Sequence, residues 1–211
     1  MLQPMSESAP PGAQFSPSTA RNRDPILAVL QRWLPTRGLV LEIAAGTGEH
    51  AIHNAAALPG LQWQPADLDP SALASIEAWR HHAGLSNLLS PMRLDASNPS
   101  SWPLTRADSI VNINMIHISP WTAAVGLMTG AGRILPEDGL LYLYGPFIES
   151  DVETAPSNEA FDASLRSRNP VWGLRRLEDV TALAAIHGLE LAERIAMPAN
   201  NLSLIFRKRP K

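Results

Sequence analysis

Two glycines, Gly46 and Gly48, stand between a short apolar run and an alanine-rich segment. The apolar run, residues 39–43, predicts a strand that is buried on both faces of a parallel sheet, and residues 49–58 predict a helix. Because glycine has no β-carbon, the backbone of such a turn can bend sharply and approach a ligand closely. The free N–H groups at the helix start add a positive dipole end. The spacing therefore predicts a small-molecule site at the carboxyl end of this strand.

Two classes of cofactor compete for this turn. Residues 46–51 fit the pattern G-x-G-x-x-A of dinucleotide-binding proteins. Glu42 favours the other class, because a carboxylate near the end of a buried strand needs a partner and would repel a pyrophosphate. A cofactor with an ammonium and a sulfonium group would supply that partner. The remaining alternative is a glycine turn that binds no ligand.

Acidic residues also follow the second predicted strand. Asp67 comes about twenty residues after the glycines, where nucleotide-binding sheets place an acid that accepts hydrogen bonds from ribose hydroxyls. Asp69 is the weaker candidate for this role, because it precedes Pro70 and is well placed to cap the next helix. In the alternative interpretation both aspartates only cap and turn the chain.

Polar side chains cluster near the end of the fourth predicted strand, residues 110–115. A buried asparagine must find hydrogen-bond partners, and a ligand could supply them to Asn112 or Asn114. His117 is the histidine at this strand end, and an imidazole near its ordinary pKa is suited to accept a proton. His117 is therefore the candidate general base, and its alternative role is that of a buried packing residue.

The composition excludes several classes of protein. A chain of 211 residues is expected to form one domain, and its net charge of −3 offers no basic field for nucleic acid. The absence of cysteine excludes disulfides and thiolate metal sites. His50 and His53 lack a matching carboxylate pattern, so no metal is predicted. Without a membrane-length apolar run or a secretory signal, no membrane partner and a cytoplasmic location are expected.

The first part of the chain is expected to contain a tail and a helix. Residues 1–16 are proline-containing and polar and predict a disordered tail, followed by a single domain over residues 17–207. Asp24 and Pro25 match the start of a first helix. Residues 21–23, Arg-Asn-Arg, would then form either a solvated approach to this helix or a flap over the cofactor mouth.

The second half predicts the rest of an α/β fold. After a fifth strand at residues 140–144, the alternation breaks over residues 148–176, which predict an ordered lid insertion with a short helix near residues 157–167. Residues 189–196 and 202–207 predict a C-terminal antiparallel hairpin. With a third strand at residues 90–94, the expected fold is α/β, with a Rossmann-like, seven-stranded, mostly parallel and doubly wound sheet.

The acceptor of any reaction is expected near the lid insertion. We expect Tyr144, Trp172 and Asn200 to line its pocket, because the fifth strand ends at the cleft and the insertion must pass over or beside it. The competing interpretation is that the insertion only covers the sheet edge, with Trp172 as a core residue.

Several stretches resemble class I S-adenosylmethionine (SAM) dependent methyltransferases. Residues 42–48, Glu-Ile-Ala-Ala-Gly-Thr-Gly, are similar to the first motif of that family, with Ala44 where the family usually has glycine. More narrowly, the chain resembles a little-characterised methyltransferase-like family known as a domain of unknown function. That resemblance is carried by Phe-Ser-Pro at residue 15, Arg-Asn-Arg at residue 21, Gly-Glu-His at residue 48, residues 112–121, residues 154–158 and residues 197–202.

The resemblance implies a cofactor and its contacts. The cofactor is SAM, and the implied binding residues are Glu42, Ala44, Gly46, Gly48, Asp67, Asp95, Ala96 and Asn114. Asp95 with a small residue after it lies beside the adenine amino group in methyltransferases, whereas the local alternative is an Asx turn before Asn98.

The expected function is SAM-dependent methyl transfer to a small-molecule acceptor. A non-catalytic SAM- or nucleotide-binding module is the alternative, and an NAD-binding reductase is third, disfavoured by Glu42 and by the terminal hairpin. The sequence leaves open the acceptor and the oligomeric state.

Overall fold

The structure is a computed structural model that describes residues 10–210. Nine strands occur in this part of the chain: β1 (Gly38–Ile43), β2 (Leu61–Asp67), β3 (Met92–Arg93), β4 (Ser109–Ile113), β5 (Leu140–Gly145), β6 (Phe147–Ile148), β7 (Arg175–Arg176), β8 (Leu189–Met197) and β9 (Asn201–Lys208). Six α-helices accompany them: α1 (Pro17–Trp33), α2 (Glu49–Ala57), α3 (Pro70–Ala83), α4 (Trp121–Ile134), α5 (Pro156–Arg168) and α6 (Leu177–Ile186).

Seven strands form the main sheet, in the order β3-β2-β1-β4-β5-β9-β8. The pairs from β3 to β5 are parallel, whereas β9 is antiparallel to both β5 and β8. The predicted fold, a mostly parallel seven-stranded sheet with a C-terminal antiparallel hairpin, is confirmed. The strand order reverses between β1 and β4, so the carboxyl ends of these two strands open a crevice.

Helices cover both faces of the sheet. On one face, Leu30 of α1 and Trp63 of β2 belong to the same buried apolar cluster. On the other face, Leu127 of α4 packs in a second cluster with Leu41 of β1. Two such layers bury the apolar strands on both sides, as a doubly wound sheet requires. Among residues 10–210, no helix combines the length and apolar character of a membrane span.

The first helix begins at Pro17, not at the predicted Pro25, which lies inside it. Ser16 and Pro17 offer the same start signal as the predicted pair eight residues later. The Ser16 N–H donates to Glu49 Oε2 at 2.6 Å, so contact with α2 supports the earlier start. The helix gains about two turns, and residues 21–23 lie within it rather than on a flap.

The described part of the predicted tail packs against α3. The Gln14 N–H donates to Ser75 Oγ at 2.7 Å, and the Gln14 carbonyl accepts from Trp79 Nε1 at 3.0 Å. The prediction of disorder is therefore corrected for residues 10–16, whereas residues 1–9 lie outside the described residues.

The insertion, residues 148–176, is tied to the domain at both ends of its helix α5, which lies where the sequence predicts one. After the helix, Arg175 Nε donates to the carbonyl oxygen of Ile116 at 2.9 Å. At its first turn, Asn158 Nδ2 donates to the carbonyl oxygen of Asn200, in the turn between β8 and β9, at 2.9 Å. These bonds hold α5 beside the carboxyl ends of β4 and β5.

The third strand is shorter than predicted. The expected strand over residues 90–94 reduces to Met92–Arg93. Pro91 has no N–H to donate, and the chain before it pairs instead through Leu89, whose N–H donates to the Trp63 carbonyl at 2.9 Å.

Candidate functional site

The turn between β1 and α2 has a left-handed backbone at three positions, since φ is 58° at Ala44, 57° at Gly46 and 90° at Gly48. This region favours glycine, so Ala44 is strained where the related motif has glycine. A β-carbon on Gly46 would meet no atom within 4 Å, whereas one on Gly48 would lie 2.9 Å from Ile76 Cα of α3. Gly46 therefore faces open space, and Gly48 is required by packing.

Asp67 joins this turn to the end of β2. Its Oδ2 accepts from the Gly46 N–H at 2.9 Å, and its Oδ1 accepts from the Asp69 N–H at 3.0 Å. Each carboxylate oxygen has two lone pairs, so both can still accept a hydroxyl. Asp69 accepts from the Ser71 N–H at 2.8 Å and caps α3. Asp67 is thus the acid of this pair that lies against the glycine turn.

Asp95 and Ala96 follow β3 and lie close to Asp67, because the Leu94 N–H donates to the Asp67 carbonyl at 2.9 Å. Asp95 Oδ1 accepts from Ser97 N–H at 2.8 Å and from Ser97 Oγ at 2.6 Å. This is the Asx turn of the alternative interpretation. It uses one carboxylate oxygen, so it does not exclude a contact between the other oxygen and a ligand.

Glu42 is a buried acid on β1, between Pro65 of β2 and Val111 of β4 in the sheet register. Its side chain is only 2% exposed, and its Oε2 accepts from Trp63 Nε1 at 2.6 Å. Burial raises the pKa of this carboxyl from 4.5 to about 8; the bond from Trp63 opposes the change and the charge of Asp67 adds to it. Glu42 is therefore mostly protonated near neutral pH, and a nearby cation would favour its ionised form.

The two asparagines at the end of β4 have different roles. Asn112 is buried and its Nδ2 donates to the Ile43 carbonyl at 2.9 Å, which joins β4 to β1 just before the glycine turn. Asn114 has a φ of 63°, and its N–H donates to the Tyr144 carbonyl at 2.8 Å. Its side chain lines a cavity at this edge of the sheet.

That cavity has a volume of about 550 Å³ and lies between α1, α5, the ends of β4 and β5, and the turn between β8 and β9. This volume lies within the range of small-molecule sites. Its polar lining includes Arg21, Asn22, Asn114, Tyr144 and Asn158. Burial raises the pKa of Tyr144, and a hydrogen bond with Asn22 opposes the change, so the phenol is protonated at neutral pH.

The structure separates the three predicted acceptor residues. Tyr144 lines the cavity of about 550 Å³. Asn200 lines a neighbouring cavity of about 180 Å³, and its Nδ2 donates to Ser157 Oγ at 3.0 Å. Trp172 lines neither cavity; instead the Arg168 guanidinium lies 5.6 Å from the centre of its ring. The prediction for Trp172 is corrected, because the chain after α5 places its ring against that helix.

His117 does not lie where a general base is needed. Its ring is wholly buried, lines neither cavity and packs edge-on against Phe147 with ring centres 4.8 Å apart. Burial lowers its pKa to about 3, and the charge of Arg175 lowers it further. Such an imidazole is neutral and too weak a base at neutral pH. The general-base prediction is corrected in favour of a packing histidine, in close contact with Gly145.

Sequence analysis missed or misplaced other residues of this edge. It treated Arg21 and Asn22 as a flap, because the early start of α1 was not recognised. It assigned no role to Asn158, a buried polar residue of α5. It also overlooked Leu68, which is 45% exposed. An apolar residue between two aspartates after a buried strand is a usable signal for the last of these, since it offers an apolar surface at the crevice.

The two histidines of α2 are explained by contacts with α1. His53 Nε2 lies 3.0 Å from Asp24 Oδ1. Burial lowers the pKa of His50 to about 4, and the charges of His53 and Arg23 act in the same direction. In the described part of the chain, no three His, Cys, Asp or Glu side chains are grouped in a way that could hold a metal ion.

A family model described as "Protein of unknown function (DUF938)" matches residues 13–208. The chain belongs to the DUF938 family. The match includes the glycine turn, Asp67, Asp95 and the cavity lining, so the whole candidate site lies within the DUF938 region. This agrees with the methyltransferase-like family that the sequence resembles.

Solved methyltransferase structures share the fold of this DUF938 member. An O-methyltransferase family protein from Burkholderia thailandensis has a TM-score of 0.77 at 16% identity, and the match covers 91% of this chain and 57% of that one. The YcgJ protein from Bacillus subtilis has a TM-score of 0.70 at 15% identity, covering 91% and 100%. CalO1, a methyltransferase of calicheamicin biosynthesis in its SAH-bound form, has a TM-score of 0.69 at 17% identity, covering 92% and 55%. This DUF938 member therefore has the class I methyltransferase fold, and it spans little more than half the length of the first and third of these proteins.

Proposed function

We propose that this protein transfers a methyl group from SAM to a small-molecule acceptor. The observation that carries the proposal is the open space at Gly46, a left-handed glycine at the carboxyl end of the central strand whose N–H is held by Asp67. A cofactor on this turn would lie beside the cavity of about 550 Å³ that Asn114 and Tyr144 line. The two parts of a transferase site, one for cofactor and one for acceptor, are thus adjacent.

The residues of this edge fit SAM. Asp67 keeps lone pairs for two ribose hydroxyls, and the exposed Leu68 offers an apolar surface to a base. Asp95 and Ala96 lie next to Asp67, where the adenine amino group would be read. Glu42 supplies a buried carboxyl whose ionised form a positively charged cofactor would stabilise.

A dinucleotide fits less well. The first residue of α2 is Glu49, which is buried and whose Oε2 accepts from Thr47 Oγ1 at 2.9 Å. A pyrophosphate bound at this helix start would face that carboxylate as well as Glu42. Two acids around the turn therefore favour a cationic cofactor over NAD.

The chemistry asks little of the protein beyond binding and alignment. SAM supplies an electrophilic methyl group on a sulfonium. The glycine turn and Asp67 would fix the cofactor, and the cavity lining would orient the acceptor and exclude water. Asn114 is suited to position both, because its backbone is fixed to Tyr144 and its side chain faces the cavity.

Calorimetric titration with SAH, SAM and NAD tests the proposal, with a matched pair of glycine variants. Gly46 and Gly84 both have a left-handed backbone, with φ of 57° and 60°, and open space at the β-carbon position. Gly46→Asn and Gly84→Asn should therefore destabilise the fold equally little, because asparagine tolerates this conformation. We expect the wild type and Gly84→Asn to bind SAH and SAM alike, and Gly46→Asn to lose both.

Three results would redirect the proposal. Equal SAH binding by both variants would remove the cofactor from this turn. Binding of NAD in place of SAH would indicate a reductase. SAH binding without methyl transfer from labelled SAM to any of a panel of small acids, phenols and amines would favour a non-catalytic binding module.

A further inference from the structure

The lining of the cavity of about 550 Å³ bears on the class of acceptor, an inference that rests on the proposed function. Among the described lining residues, Arg21 is the only charged side chain, and the others are amides, hydroxyls and apolar groups. None of the ion pairs between described residues includes Arg21, although the nearby Arg23 approaches Asp24 at 3.9 Å. The cavity therefore presents one positive charge that no described carboxylate neutralises.

The same lining contains no group that would remove a proton from an acceptor. The part of the chain described contributes neither a carboxylate nor an imidazole to it. His117 is sealed behind Gly145 and Phe147, and Tyr144 is protonated at neutral pH. An acceptor bound here must therefore be nucleophilic without giving a proton to the protein.

We propose that the acceptor is a small carboxylic acid, bound as its carboxylate with the Arg21 guanidinium holding the anionic group. A guanidinium is well suited to carboxylate recognition, because its planar N–H donors match the two oxygens. One carboxylate oxygen forms the bond to the methyl carbon as the methyl–sulfur bond breaks, and the electron pair of that bond stays on sulfur. The products are a methyl ester and a neutral thioether, and no proton is released.

The rest of the lining suits the body of such an acid. Tyr144 and Phe161 present aromatic surface to the cavity, and Phe161 is 37% exposed. Asn22 and Asn158 offer hydrogen bonds to polar substituents on the acid. A benzoate-sized acid is therefore a suitable probe.

The test compares benzoate with benzamide, which has nearly the same shape and no charge, by ligand-observed NMR with SAH-saturated protein. Arg21→Met is compared with Arg209→Met, in which an exposed arginine paired with Glu190 at 3.0 Å is removed. We expect benzoate to bind better than benzamide, and Arg21→Met to weaken benzoate binding about ten- to a hundredfold. Arg209→Met should change nothing. With labelled SAM, acids that turn over should give a product that releases methanol in base, as a methyl ester does.

Equal binding of benzoate and benzamide, or no benzoate binding at millimolar concentration, would overturn the anionic acceptor. So would an Arg21→Met variant that binds SAH more weakly while keeping its affinity for 5′-methylthioadenosine, because Arg21 would then hold the amino-acid end of the cofactor. Benzoate can also be titrated without cofactor. A wild-type protein that binds no SAH but binds benzoate through Arg21 would refute the proposed function and leave the anion site standing.

Discussion

Glu42→Gln isolates the effect of a buried acid on stability. Glu42 is 2% exposed, and its Oε2 accepts from Trp63 Nε1 at 2.6 Å. Glutamine has almost the same shape, and its amide oxygen can accept the same hydrogen bond, but it does not titrate. The packing of β1 against β2 should therefore survive the substitution, and only the proton equilibrium should be lost.

The sign and size of the effect follow from the pKa. Burial raises the pKa of Glu42 from 4.5 to about 8, so the native state binds more protons than the unfolded state between these pH values. The free energy of unfolding of the wild type should therefore fall as pH rises through this window, fully retained below pH 4.5 and lost above about pH 8. The increase from 4.5 to about 8 corresponds to about 5 kcal/mol.

Urea unfolding of both proteins at about pH 5 and about pH 9 measures this difference. His50 and His117, whose pKa values burial lowers, contribute equally to both proteins and cancel in the comparison. We expect Glu42→Gln to gain about 5 kcal/mol on the wild type between the two pH values. Parallel pH dependence of the two proteins would refute the reasoning and show that Glu42 ionises normally inside the fold. A smaller difference with SAM bound would place positive charge of the cofactor near this carboxyl.

Four further substitutions test the site. Gly48→Val should unfold the protein rather than only abolish cofactor binding, because its β-carbon would lie 2.9 Å from Ile76 Cα; a folded variant by circular dichroism would contradict this. Ala44→Gly should raise the free energy of unfolding by about 1 kcal/mol by relieving its positive φ, and a lower melting temperature would argue against strain at this residue. Trp172→Ala should cost about 1–2 kcal/mol through the lost contact with an arginine and leave methyl transfer unchanged, whereas reduced turnover at unchanged melting temperature would restore its acceptor role. Asp67→Ala should weaken SAH binding by about 1.5–3 kcal/mol in calorimetry, and unchanged affinity would end its ribose role.

The sheet and the glycine turn could be predicted because their signals are local. The apolar run before Gly46 can be satisfied only by a buried strand, and left-handed backbone at the turn demands small residues whatever surrounds it. The spacing from the glycines to Asp67 follows from the length of one helix and one strand. The terminal hairpin was also readable, since two apolar runs flank a short turn.

Other features depend on contacts between distant parts of the chain. Two start signals for α1 lie eight residues apart, and the bond from Ser16 to Glu49 of α2 accompanies the earlier one. The direction of the His117 ring is set by the left-handed Asn114 and the tight turn after it, which lead the chain under Phe147. Neither the sequence pattern nor the length of an element contains this information.

The attachment of residues 10–16 has a practical consequence for shortened or tagged versions of this protein. The Ser16 N–H shares Glu49 Oε2 with the hydroxyl of Thr47, a residue of the glycine turn. Gln14 occupies the indole N–H of Trp79 through its carbonyl. An expression boundary at residue 17 would remove both attachments and leave these polar groups to solvent. Ligand affinities measured on such a truncation would partly report where the chain had been cut.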